Sequence, residues 1–150
     1  MLKRIFSLLI LIIVFVGSSE AQNYGLGLGI ILGEPTGISL KYWTSRTTAV
    51  DGAIAWSLGK HDRMYFHGDY LWHNDRIINI NRGRLPIYYG IGARLGFNGD
   101  SSLGIRGVFG LDYQFATIPL DIFLELVPVM DLAPSTDFDF NGAIGVRYFF

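Results

Sequence analysis

Along most of the chain, apolar and polar positions alternate in twos. The last stretch shows the pattern most fully. Phe138, Phe140, Ile144, Val146, Tyr148 and Phe150 fall on one face, interrupted only by Gly142, and Asp139, Asn141, Ala143, Gly145, Arg147 and Phe149 fall on the other. A period of two is that of a strand with one apolar and one polar side. The same rhythm runs through residues 24–32, 37–43, 49–58, 64–73, 85–96, 103–114 and 120–127. With the terminal stretch these make eight segments of roughly ten residues, the length a tilted strand needs to cross a bilayer, and an even number. The pattern predicts an all-β protein: an eight-stranded antiparallel up-and-down transmembrane β-barrel.

Turn residues separate the segments. Gly33, Glu34, Pro35 and Thr36 make a turn by composition, and Asn98-Gly99 inside 97–102 is a strong hairpin signal. The charged run 59–63 and the segment 130–137 are the other loops on that side. Pro128 has no backbone N–H to give to a ladder, so the seventh strand is expected to end near it. The stretch 74–84 breaks the alternation. It carries Arg76, Arg82 and Arg84 around an Ile77-Ile78 pair and is expected to be a structured long turn, with a short helix capping the lumen or a contact to a periplasmic partner as the alternatives.

The two faces differ in chemistry. The polar face is rich in glycine and carries Lys41, Asp51, Asp69, Arg94, Arg106, Asp112, Asp121, Glu125 and Arg147, whereas the opposite face is almost uncharged. A soluble lipocalin-like barrel would be greasy inside and polar outside, with lysine and glutamate spread freely over its surface. Small residues with charges of both signs suit the lumen of a narrow barrel, which side chains fill. Such charges are tolerated inside only when they pair, and the near balance of signs allows it. The nine charges are therefore expected to form a lumen network beneath a lipid-facing exterior. At one end of the apolar face, Tyr24, Tyr42, Trp72 and Tyr113 join Tyr148 and Phe150 as an interfacial girdle.

Composition agrees with this. Charged residues make up 17% of the chain against roughly 25% in soluble domains, aromatics reach 15%, and there are 19 glycines. A net charge of −1 gives no electrostatic case for nucleic acid. The absence of cysteine excludes disulfides and thiolate metal sites. At the N-terminus, Lys3 and Arg4 precede an apolar run at 5–16 and a small-residue segment ending at Ala21. The run falls short of the roughly 20 residues of a spanning helix and matches a secretory leader. Residues 1–21 are thus expected to be a signal peptide cleaved after Ala21, with Sec-type export of a single barrel domain, 22–150.

The chain resembles the small eight-stranded outer-membrane barrels typified by OmpX and the transmembrane domain of OmpA. Its most specific element is the ending Ile144-Gly145-Val146-Arg147-Tyr148-Phe149-Phe150. The resemblance implies the outer membrane of a Gram-negative-type bacterium, with lipid and lipopolysaccharide as surroundings. It also implies the barrel-assembly machinery as a partner reading Tyr148 and Phe150, and an interior salt-bridge network including Arg94 and Arg147. The connections at 33–36, 59–63, 97–102 and 130–137 are shorter than is usual in OmpX-like proteins, which argues against a protruding adhesive sheet.

Some barrels of this size resemble lipid A deacylases or acyl transferases, which carry a His and a Ser on strands near the outer rim. Ser57, His61, Asp62 and His67 gather around the second outer loop, but the His-x-Ser spacing of those deacylases does not occur. His67 and His73 share the lumen face yet lie about 20 Å apart along the strand, too far to hold one metal. The expectation is a non-enzymatic outer-membrane barrel with a structural or surface-interaction role and without catalytic residues, metal or cofactor. The alternatives are a lipid A-modifying enzyme and a soluble periplasmic lipocalin-like carrier. The sequence does not identify a surface or periplasmic partner.

Overall fold

A computed structural model of the chain describes residues 25–34, 36–57, 63–98 and 100–150. The expected leader, its cleavage site and Tyr24 lie outside them. Eight strands follow in order: β1 (Leu26–Gly33), β2 (Thr36–Trp43), β3 (Thr48–Ser57), β4 (Arg63–Asn74), β5 (Ile87–Asn98), β6 (Asp100–Gln114), β7 (Leu120–Ala133) and β8 (Asp137–Phe149). Each pairs antiparallel with its neighbours in the chain, and β8 returns to β1 from Gly27↔Phe149 to Gly33↔Ala143 to close the barrel. Closure pairs the two strands that would otherwise be edges.

Branched aliphatic and aromatic residues on alternate positions supply the exterior. Ile30, Leu40, Ile91, Phe109, Leu124 and Ile144 are each about half exposed or more. Their sequence neighbours point inward and are buried, as in the run Lys41, Trp43 on β2 and Asp121, Phe123, Glu125, Val127 on β7. The core lies inside the barrel, and its largest fully buried side chains are Arg147, Tyr88, Lys41, Phe123 and Leu71.

Two expectations are corrected. β7 does not end at Pro128 but runs on to Ala133, with Pro128 opposite Phe140 on β8. The β6–β7 ladder omits Gly107 and Val108, opposite Val127 and Pro128, and resumes at Arg106↔Val129. The proline thus falls where the ladder to one neighbour lapses, so its missing donor does not end the strand. In addition, the strands are longer than expected on one side. β5 ends at Asn98 and β6 begins at Asp100, and β8 pairs with β7 as far as Asp131↔Asp137 although β1 already stops opposite Ala143. The β6–β8 wall therefore stands taller than β1–β2 at the rim opposite the termini, and residues 132–140 are exposed on both faces. A short projecting sheet is present where compact loops were expected.

At the terminal rim the β2–β3 connection is polar. Ser45 Oγ accepts the backbone N–H groups of Thr47 and Thr48, which ties the β2–β3 turn. Between β4 and β5 the chain is irregular, as the long-turn reading expects. Arg84 grips Asp75 and forms an isolated bridge to Gln114, anchoring the turn to the end of β6.

Candidate functional site: the charged lumen

All nine charged residues expected inside are buried, none more than 6% exposed. Their pairing follows from register. Lys41 on β2, Asp51 on β3 and Asp69 on β4 are successive cross-strand partners, followed by Gly92 on β5 and Arg106 on β6. Because Gly92 has no side chain, Arg106 passes over it and brings Nε within 2.8 Å of Asp69 Oδ1. A Cβ at Gly92 would collide with that carboxylate and with the carbonyl of Gly68. Gly92→Ala is accordingly expected to destabilise the barrel by about 1–3 kcal/mol through overpacking. Gly142→Ala, on the exterior with no atom nearer than 3.8 Å, is expected to be nearly neutral. Urea unfolding of both variants in lipid vesicles checks the contrast.

Towards the terminal rim, Lys41 Nζ donates to Asp112 Oδ2 at 3.0 Å and lies 2.9 Å from His73 Nε2 and 4.3 Å from the Trp43 ring centre. Arg147 Nε donates to Asp121 Oδ1 at 3.2 Å, its Nη1 lies 3.7 Å from Asp51 Oδ2, and its guanidinium stacks 3.9 Å from the Phe123 ring centre. Glu125 accepts the Tyr88 hydroxyl at 2.8 Å. At the opposite end Arg94 makes a two-pronged contact with Asp131, Nε to Oδ1 at 3.1 Å and Nη2 to Oδ2 at 2.8 Å, and lies over the Tyr65 ring. Ion pairs thus follow one another along the whole height of the lumen. Side chains fill it, which suits a plugged barrel rather than a wide aqueous channel.

Asp131, His73 and Tyr88 are among the participants that the sequence does not single out as site residues. Asp131 was assigned to a loop because the strand was ended at Pro128. Continuing the alternation through Val127 and Val129 would have placed it inside.

Of the girdle residues, Tyr42, Trp72 and Tyr148 are exposed on the exterior at the terminal rim and Tyr113 is partly covered there. Trp72 packs on Tyr70 and Tyr89, and Tyr148 on Phe150, whose N–H donates to the Leu26 carbonyl. Tyr70 and Tyr89 therefore extend the group. A second aromatic set, including Phe66, Phe97 and Phe138, rings the opposite end of the exterior. In the hydrolase-like cluster, His67 faces the lumen beside Asp69, away from any substrate at the rim. His61, Asp62 and the Ser57 side chain lie outside the described residues.

These features define a class: a small, closed eight-stranded antiparallel barrel with an apolar exterior and a charged, packed interior. Within it, the chain is similar to the N-terminal β-barrel domain of Pseudomonas aeruginosa OprF, with a TM-score of 0.63 at 14% identity over 83% of this chain and 95% of that one. The likeness is one of fold. No protein-family model and no curated protein sequence matches the chain.

Proposed function

We propose that the chain is an integral outer-membrane barrel without catalytic function, which stabilises the envelope or presents its rim to a surface partner. The observation that carries this reading is the inverted amphipathy: a continuous apolar exterior around a lumen of buried ion pairs. In water such an exterior would be a very large exposed apolar patch, far beyond what soluble monomers tolerate. In a bilayer it is the required solvent match, and closure of β8 onto β1 leaves no free edge strand across the barrel's common height. The two aromatic sets support it. Tyr89 and Phe97 on β5 are separated by about 26 Å along the strand, or roughly 20 Å across a bilayer at a tilt of about 40°, close to the height of an outer-membrane apolar band.

Membrane fractionation and gel migration with and without boiling test the reading. The protein is expected in the outer-membrane fraction, with a compact unboiled form that migrates apart from the boiled one. Recovery in the soluble fraction would favour the lipocalin-like carrier. Incubation with lipopolysaccharide is expected to release no acyl chains, and release abolished by His61→Ala or His67→Ala would replace this reading with that of a lipid A-modifying enzyme.

Tyr148 and Phe150 are proposed to serve as the label read by the barrel-assembly machinery. Deleting Phe150 removes one aromatic and the N–H that bonds Leu26. It is expected to slow assembly and lower the amount of folded barrel in cells, whereas an unchanged amount would contradict the assembly role.

A further inference from the structure

Among the described residues, the lumen holds more negative than positive charge. With Arg94 assigned to Asp131, three buried cations, Lys41, Arg106 and Arg147, are left to face five buried acids, Asp51, Asp69, Asp112, Asp121 and Glu125. The surplus is concentrated. Asp51 and Asp69 are direct cross-strand partners, so their carboxylates emerge side by side, and His67 joins them two residues before Asp69 on the same face. One donor atom from each of the three lies within 4.8 Å of the others.

How the arginines hold these carboxylates decides what the cluster is for. Arg106 contacts Asp69 through Oδ1, leaving Oδ2 turned to His67 Nδ1 at 3.2 Å. Arg147 Nη1 lies 3.7 Å from Asp51 Oδ2, and Asp51 Oδ1 is buried with no hydrogen-bond partner among the described residues. Among the described residues, His67 Nδ1, both Asp69 oxygens, Arg106 Nε and Arg147 Nη1 likewise lack an aligned hydrogen bond. Buried polar atoms left in that condition are costly. Asp69 is thus approached by Arg106 on one oxygen and Asp51 more distantly by Arg147, while Asp51, His67 and Asp69 each bring one donor atom to the same small space, an arrangement like that by which an outer shell orients metal ligands.

We propose that Asp51, His67 and Asp69 form a binding site for a first-row divalent metal ion of the zinc type inside the barrel. The donor set fits. Carboxylates alone would suit magnesium or calcium, whereas an imidazole with carboxylates selects zinc and its neighbours. Two donors on one zinc, at bond lengths of roughly 2.0–2.2 Å, lie about 3.0–3.4 Å apart, which is the spacing of His67 Nδ1 and Asp69 Oδ2. A divalent ion also supplies the two positive charges by which the buried acids outnumber their cations. The donors are enclosed by the barrel wall, so the ion is taken up as the barrel closes and is released slowly until it unfolds.

The test is metal content after folding. The full-length mature chain is refolded into lipid vesicles with Zn²⁺, freed of unbound metal, and assayed for zinc. About one zinc per barrel is expected in the wild type and in His73→Gln and His61→Gln, with at least a tenfold loss in Asp51→Asn and His67→Gln. Wild-type barrel that retains no zinc overturns the site, as does equal retention in His67→Gln. Should the two ligand variants fail to fold, Co²⁺ loading of His61→Gln/His73→Gln decides the matter. Ring-proton resonances of the one remaining histidine shifted far outside the diamagnetic range support the site, and unshifted resonances contradict it.

Discussion

Arg147→Met is expected to lower the stability of the folded barrel by about 3–5 kcal/mol, the cost of removing one partner from a buried ion pair. Arg147 is 1% exposed and stands beside two acids on different strands, Asp121 at 3.2 Å and Asp51 at 3.7 Å, with its guanidinium plane against Phe123. Methionine fills much of the volume but leaves both carboxylates without their shared cation in a water-poor interior. The loss is therefore electrostatic, and a second substitution that removes an orphaned acid tests this. Arg147→Met/Asp121→Leu is expected to recover more than half of the deficit, because the orphaned charge, rather than the missing contact, carries most of the cost. Urea unfolding in vesicles provides both values. A single variant as stable as wild type would mean that the lumen pairs are spectators.

Leu124→Arg tests the opposite wall. Leu124 is 52% exposed and pairs with Ile144, which lies midway along β8 between Tyr148 at one aromatic band and Phe140 near the other. On a soluble barrel an exposed Leu→Arg change would shift stability by no more than about 0.5 kcal/mol. At the midplane of a bilayer it is expected to cost about 2–4 kcal/mol, and a substitution nearer either rim should cost less. The same substitution at Ile122, two residues closer to the terminal rim, should therefore be milder. A flat profile along β7 would argue that this face does not meet lipid.

The alternation alone carried the eight strands, their order and the division into faces, because a period of two with one uncharged side leaves a closed barrel little choice of register. Strand ends were less legible. Pro128 looked like a stop because a proline removes a donor, yet the cost of that loss depends on whether the neighbouring strand pairs there, and the β6–β7 ladder lapses opposite it. That single residue hid Asp131 and the taller β6–β8 wall. Which charges lie inside could be read from parity, but which acid meets which base could not. The Arg106–Asp69 contact depends on the stagger between strands and on Gly92 standing empty between them. The same stagger sets Asp51 beside Asp69 and next to His67. Along the sequence, only the two-residue spacing of His67 and Asp69 on one face is visible.

The central claim, that the apolar side of this barrel faces lipid and the charged side faces inward, is tested most directly by its three tryptophans. Trp56 and Trp72 stand exposed on the exterior, near opposite rims, whereas Trp43 is 5% exposed and packs inside against His73 and Lys41. Variants retaining one tryptophan each, with the others replaced by phenylalanine, are folded into vesicles containing brominated lipid and their fluorescence is compared with that in unbrominated vesicles. Strong quenching of Trp56 and Trp72 with little quenching of Trp43 is the predicted result. Equal quenching of all three, or none at the two exterior positions, would contradict it.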